Sequence, residues 1–207
     1  MRPQPVIRLL HAATLSLLAA CASPLDEAAE SDLPDDGASE PLAQLAGSTV
    51  IMTGTGCSST VDPTSISADG LAVTAELPRL KTPSSTASTA SSKCSIKVTY
   101  NLPAGRRIGV EEVFADGDIA LQGGSSAKAT MTSWSEAGRG APVSATYNGP
   151  KTDHFYLSDK VRPYASRCGG RQTIGTDVDL NVTRPGGQRG TIGGNVTVKL
   201  KLRMEKC

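Results

Sequence analysis

Residues 196–204 alternate strictly between apolar and polar side chains. The apolar positions are Val196, Val198, Leu200, Leu202 and Met204, and the positions between them are Thr197, Lys199, Lys201 and Arg203. Successive side chains of a strand point to opposite faces, so a period of two predicts a β-strand with one buried face. A helix would need an apolar residue every three or four positions, and this segment lacks that pattern.

The same texture recurs through the second half of the chain in shorter stretches separated by Gly, Pro, Asn and Asp. Clear alternation covers 71–77, 94–102 and 177–182, and less regular strands are expected near 48–54, 106–115, 117–122, 126–135, 142–148 and 153–158. Many short strands between turn signals predict an all-β fold, here an antiparallel β-sandwich of about 8–9 strands.

Three connections are predicted from composition. Asp116-Gly117-Asp118 favours a turn, since Asp and Gly are common turn residues. The Ser- and Thr-rich segment 81–93 is expected to be a mobile loop, and the Gly-rich segment 184–194 a long hairpin connection. That hairpin would pair 177–183 with 195–203, placing Asp179 opposite Lys199 and Asp177 opposite Lys201.

The N-terminal 20 residues are typical of an export signal. Arg2 and Arg8 precede an uncharged apolar run that is too short for a permanent membrane span. Leu18-Ala19-Ala20-Cys21 resembles the lipobox of bacterial lipoproteins, which implies lipidation of Cys21. An ordinary secretory signal cleaved nearby is the alternative. Residue 22 is Ala and not Asp, which resembles the lipoproteins that are sent to an outer membrane.

Residues 21–47 contain seven acidic residues and no Lys or Arg. With no aromatic residue to bury, this segment is expected to be a disordered acidic tether. The remaining residues, 48–207, form the predicted sandwich domain. The whole chain has a formal net charge of only +1, which disfavours nucleic acid as a partner.

Five cysteines divide into one lipidation site and four residues for disulfides. Cys57, Cys94, Cys168 and Cys207 allow three pairings, of which we favour the local one, Cys57–Cys94 and Cys168–Cys207. A metal site is disfavoured because the chain has two histidines and no C-x-x-C motif. No cofactor is expected.

An ordered set of short motifs accompanies these cysteines. They are Gly54-Thr55-Gly56-Cys57, Ser92-Lys93-Cys94-Ser95-Ile96, Tyr147-Asn148-Gly149-Pro150, Ser166-Arg167-Cys168-Gly169 and Lys206-Cys207. Their order and spacing resemble domain-of-unknown-function family 4360, a group of small exported proteins. The resemblance covers about residues 48–207 and implies an exported, cysteine-tied, β-rich domain without an assigned activity or catalytic residue.

No catalytic constellation is evident. We therefore expect a binding or structural protein of the cell envelope, whose partner is a glycan, an anionic polymer or another protein. A secreted hydrolase using His154 with Asp153 is the alternative, and an inhibitor or toxin-like module is a third. The outward row Lys199, Lys201 and Arg203 is a candidate polyanion site, but we favour the alternative that these cations pair across strands with acidic residues.

Overall fold

The computed structural model describes residues 48–60, 62–85, 87–160 and 166–207, which form twelve β-strands. The strands are β1 (Thr49–Thr53), β2 (Thr64–Ile66), β3 (Ala72–Leu77), β4 (Thr89–Leu102), β5 (Arg106–Leu121), β6 (Ser126–Ser135), β7 (Gly138–Arg139), β8 (Val143–Asn148), β9 (Lys151–Asp159), β10 (Gly170–Thr183), β11 (Gly190–Ile192) and β12 (Val196–Lys206). Among these residues, no helix is long and apolar enough to cross a membrane. The predicted signal, Cys21 and the acidic segment to residue 47 lie outside the described ranges.

The predicted antiparallel sandwich is confirmed, with twelve strands instead of 8–9. The additional strands β2, β7 and β11 contain three, two and three residues, which is too short for an alternating pattern to be visible. Sheet A has the order β1-β4-β10-β6, with β7 and β8 along the far edge of β6. Sheet B has the order β9-β5-β12-β3-β2, with β11 beside β5 on the edge that also carries β12.

The core lies between the two sheets and follows the predicted alternation. In β12, the four apolar residues from Val196 to Leu202 are buried and Met204 is half-buried, while Lys199, Lys201 and Arg203 are exposed. β6 has the bounds expected from the sequence. Tyr100 and Phe155 are the two aromatic residues that are fully buried, among the residues described.

The predicted hairpin between 177–183 and 195–203 is wrong. β10 belongs to sheet A, where β4 and β6 occupy its two edges, and β12 belongs to sheet B. The carboxylate of Asp179 therefore pairs with Lys93 at 3.0 Å, and that of Asp177 with Arg139 at 2.7 Å. Alternation indicates which face of the sheet a residue occupies. It does not identify the neighbouring strand, because any strand with the same alternation can pair with β10.

Asp116-Gly117-Asp118 is not a turn, because β5 continues through it without interruption. A Cβ at Gly117 would lie 2.7 Å from the Phe155 ring and 2.8 Å from Val196. Glycine is therefore required here by close packing of the inner face, and the turn-like composition reflects that contact.

The mobile loop predicted for 81–93 is wrong at its C-terminal part, because residues 89–93 already belong to β4. The side chain of Arg184, which has no exposed surface, hydrogen bonds to residues of the preceding segment. It donates from Nη2 to the Pro83 carbonyl and from Nη1 to the Ala87 carbonyl at 3.3 Å. Its Nε donates to the Gly190 carbonyl at 2.7 Å, so one guanidinium joins this segment to β11. Because β10 belongs to sheet A and β11 to sheet B, residues 184–189 cross from one sheet to the other.

Both disulfides have the local pairing that the sequence favours. Cys57–Cys94 is buried and joins the segment after β1 to β4. Cys168–Cys207 joins the residues before β10 to the residue after β12. Because β10 and β12 belong to different sheets, this second bridge links the two layers at one end of the sandwich.

Candidate functional site

Sheet B presents its outer face through alternating residues of three neighbouring strands. The register places Phe114 of β5 beside Lys199 of β12, and Asp118 of β5 beside His154 of β9. Tyr156 of β9 lies opposite Asp116. We use "aromatic face" for the part of this outer face formed by Phe114, Tyr156, Lys199, His154 and Asp118, in which Phe114 is half-buried and Tyr156 is exposed.

An aromatic pair forms the centre of this face. The Phe114 and Tyr156 rings are 6.3 Å apart between centroids, with 30° between their planes. They are diagonal neighbours across the β5–β9 pair, a distance that long side chains bridge readily. Residue Tyr156 is 60% exposed, which makes it the most exposed large hydrophobic residue in the described part of the chain.

A cation borders the aromatic pair on the β12 side. The Lys199 Nζ atom lies 5.1 Å from the Phe114 ring centroid. An ammonium group at this distance is attracted by the negative face of the ring. Lys199 is therefore held above an apolar platform, where it can donate hydrogen bonds to a bound molecule.

A group of polar side chains borders the pair on the other side. His154 Nδ1 lies 3.1 Å from Asp118 Oδ1, and Asn195 Nδ2 donates to Asp118 Oδ2 at 3.1 Å. The side chains of His154 and Asp118 are 74% and 45% exposed. They line an open depression of about 570 Å³ together with Lys81, Thr152 and Thr191.

His154 contacts Asp118 and not Asp153, its predicted partner in a hydrolase. The Asp153 carboxylate pairs with Lys151 at 2.9 Å. Hydrogen bonding from Lys151 lowers the pKa of Asp153, with the backbone of His154 contributing in the same direction. Within the described ranges, no Ser, Thr or Cys side chain is hydrogen bonded to His154, so the arrangement lacks a positioned nucleophile.

The candidate polyanion row is exposed, but each of its cations is engaged. Lys201 pairs with Glu111 at 3.3 Å, and Arg203 pairs with Glu205. The register of the β5–β12 pair shifts between Lys201 and Leu202. As a result, Glu111 has no directly opposite residue in β12. The row therefore presents less positive charge than its sequence suggests.

The described residues contain no group of three or more His, Cys, Asp or Glu side chains that could hold a metal ion. The four cysteines other than Cys21 are bonded in disulfides. Sequence reasoning missed Phe114, Tyr156, Asp118 and Asn195 as site residues. Their positions on one face depend on the pairing of β5, β9 and β12, for which the sequence carries no direct signal.

These features define a disulfide-linked, two-sheet β-sandwich of the kind found in exported proteins. The chain belongs to the family described as "Domain of unknown function (DUF4360)", whose profile matches residues 45–207. No curated protein matches the chain in sequence.

Several solved structures share a distant likeness. One is the enzymatically active domain of tailspike protein 4 from bacteriophage CBA120, with 16% identity and a TM-score of 0.28 over 76% of this chain and 20% of that one. Another is TmCBM61 in complex with β-1,4-galactotriose, with 12% identity and a TM-score of 0.27 over 79% of this chain and 91% of that one. PfGH50B matches with 10% identity and a TM-score of 0.21, over 77% of this chain and 23% of that one. The chain spans about one fifth of the tailspike structure, and scores at this level carry no argument about ligand or activity.

Proposed function

We propose that this protein is a lipid-anchored binding protein of the bacterial cell envelope whose aromatic face binds a glycan. The anchor is Cys21, exposed by removal of residues 1–20, and residues 21–47 form an acidic tether to the domain at 48–207. Export is supported by the two disulfides, which persist in oxidising compartments. An outer-membrane location follows from Ala22, which stands where an Asp would retain a lipoprotein at the inner membrane.

The outward-facing pair of half-buried Phe114 and exposed Tyr156 is the observation that supports glycan binding. A sugar ring has an apolar face of C–H groups that packs against an aromatic ring, and hydroxyl groups at its edge that need polar partners. Lys199 on one side of the pair and the Asp118–His154 group on the other provide such partners. Aromatic contacts with a few placed polar groups are the general composition of ligand sites.

Tyr156→Ala tests this site directly. We expect the variant to lose about tenfold in affinity for envelope polysaccharide, equivalent to about 1.4 kcal/mol, because the more exposed ring is removed. The measurement is affinity electrophoresis or a glycan array with the Cys21→Ser chain. Ile51→Ala is the matched control, because Ile51 is the other exposed large hydrophobic residue described and lies on β1 of sheet A. Equal binding by the Tyr156 and Ile51 variants would contradict the proposal.

Cys21→Ser tests the anchor separately. Fractionation of cells should move the protein from the membrane pellet to the soluble fraction, and Ala22→Asp should move it from the outer to the inner membrane. Retention of the Cys21→Ser chain in the membrane pellet would refute lipidation. Glycan binding is measured on the soluble chain, so the two parts of the proposal fail independently.

A further inference from the structure

Basic side chains collect at one end of the sandwich, away from the aromatic face. We use "basic end" for Arg106, Arg107, Arg167, Arg171 and Lys206, which lie at the start of β5, around the start of β10 and at the end of β12. Residues far apart in sequence are thus grouped by the fold. The grouping is invisible in the linear pattern that indicates Lys199, Lys201 and Arg203.

Backbone contacts bring these segments together. Arg106 lies opposite Lys206 in the β5–β12 pair, and the Arg106 carbonyl accepts from the Gly169 amide at 2.7 Å. The Cys168–Cys207 bridge, with 6.1 Å between its Cα atoms, follows directly after Arg167 and Lys206. The backbone of Arg167, which precedes β10, is therefore held close to the backbone of Lys206 at the end of β12.

Three of the five basic residues at this end, Arg167, Arg171 and Lys206, have no carboxylate partner among the described residues. Glu205 is shared, since it pairs with Arg107 at 2.9 Å and also with Arg203. Arg167, Arg171 and Lys206 are exposed and form no ion pair with any residue in the described ranges. Three exposed cations on separate segments therefore lie at this end of the sandwich without a carboxylate partner in the described part of the chain.

We propose that the basic end binds a linear polyanion, a polymer carrying phosphate or carboxylate groups along its length. The cations are spread over several segments at the end of the sandwich, an arrangement suited to successive groups of a polymer. Arginine is well suited to both groups because its planar guanidinium binds them through two hydrogen bonds. This site is independent of the glycan site on the aromatic face.

The test compares two variants that each remove three positive charges from the Cys21→Ser chain. Arg167→Gln/Arg171→Gln/Lys206→Gln alters the basic end, and Lys199→Gln/Lys201→Gln/Arg203→Gln alters the exposed row of β12. Inorganic polyphosphate and polygalacturonate are the probes, so that phosphate and carboxylate polymers are distinguished. Binding is measured between about 50 and 200 mM salt, the range over which phosphate contacts weaken steeply.

The basic-end variant should lose about tenfold or more in affinity for at least one probe, and its dependence of log affinity on log salt should become shallower by about two. The β12-row variant should lose about threefold or less, since Lys201 and Arg203 are already paired. Equal losses in the two variants would overturn the proposal in favour of net charge alone, and a larger loss in the row variant would place the site on β12. Failure of the unmodified chain to bind either probe would also overturn it.

Two further measurements keep the result interpretable. The thermal midpoint of each variant should stay within a few degrees of the parent, because the substituted side chains are exposed. Tyr156→Ala should leave polyphosphate binding unchanged. If it weakens polyphosphate and polysaccharide binding alike, the two sites are one and the proposal for the basic end is wrong.

Discussion

The strand β10 has an arginine near each end, and the two are in opposite environments. Arg171 follows the first residue of the strand and is exposed at the basic end. Arg184 follows the last residue, has no exposed surface, and directs its guanidinium to the carbonyls of Pro83, Ala87 and Gly190. Buried Arg184 therefore organises a connection at one end of the sandwich, whereas exposed Arg171 remains available to a partner at the other end.

The difference follows from what surrounds each charge. A buried guanidinium is tolerated only when its N–H groups are bonded, and backbone carbonyls serve this purpose at Arg184. An exposed guanidinium keeps its hydration until a ligand replaces it, so Arg171 contributes little to stability. Burial separates structural arginines from candidate binding arginines in this fold.

Arg184→Met should have the largest effect on stability among the variants that test the difference between Arg184 and Arg171. The substitution retains the length of the side chain but leaves several carbonyls without their donor, and we expect a loss of about 3 kcal/mol in the free energy of unfolding. Urea denaturation measures this loss. Hydrogen exchange should show faster exchange in residues 87–90, next to the lost contacts.

Arg171→Met is the control for that experiment. Its effect should stay within about 0.5 kcal/mol, because the side chain is exposed. If the two variants were equally stable, burial would not distinguish the two arginines and the comparison would fail.

The two disulfides sharpen the comparison at the next level. Their sequence separations are 37 and 39 residues, so loop closure alone predicts similar losses of about 3–4 kcal/mol for either bridge. Cys57 and Cys94 are buried, whereas Cys168 and Cys207 are exposed. Replacing the first pair by alanine should therefore cost about 1 kcal/mol more, since it also leaves a cavity.

The two bridges should also differ in function. Cys168→Ala/Cys207→Ala removes the covalent link that holds the backbones of Arg167 and Lys206 together, so it should weaken polyphosphate binding. Cys57→Ala/Cys94→Ala should leave polyphosphate binding unchanged. Both variants are measured well below their unfolding temperatures. Equal affinities in the two double variants would show that the bridge does not organise the basic end.

The strands were largely predictable from the sequence, and their partners were not. Alternation in β12 indicates a strand with one buried face because that pattern depends only on local geometry. The partner of β10 depends on which strand of equal pattern packs beside it, and the charges of Asp177 and Asp179 are satisfied by Arg139 and Lys93 as well as by lysines of β12. Local charge matching is therefore a weak guide to register.

The binding surfaces were less predictable than the strands. Phe114 and Tyr156 meet only because β5 and β9 pair in one register. Arg184 precedes Pro185-Gly186-Gly187, a composition typical of an exposed loop, although its side chain is buried. The disulfides were predictable because each cysteine pairs with its nearest available neighbour in the sequence, which closes a short loop.

Asp69 supplies the smallest and most local test. Ser67 Oγ donates to Asp69 Oδ1 at 2.5 Å and the Leu71 amide donates to it at 2.9 Å, which lowers the pKa of Asp69 below its ordinary value of 3.8, with the Ser67 contribution larger. A lowered pKa means that ionised Asp69 stabilises the fold above about pH 4, and that this contribution is lost as the pH falls through the lowered pKa. Ser67→Ala should raise the pKa of Asp69 towards 3.8 in an NMR titration, and Ser67→Thr, which keeps the hydroxyl, should raise it less. Asp69 also provides a contrast with Arg184, whose carbonyl partners do not titrate. The loss of stability caused by Arg184→Met should therefore be the same at pH 3.5 and at pH 6. A marked difference between the two pH values would mean that a carboxylate also bonds to Arg184.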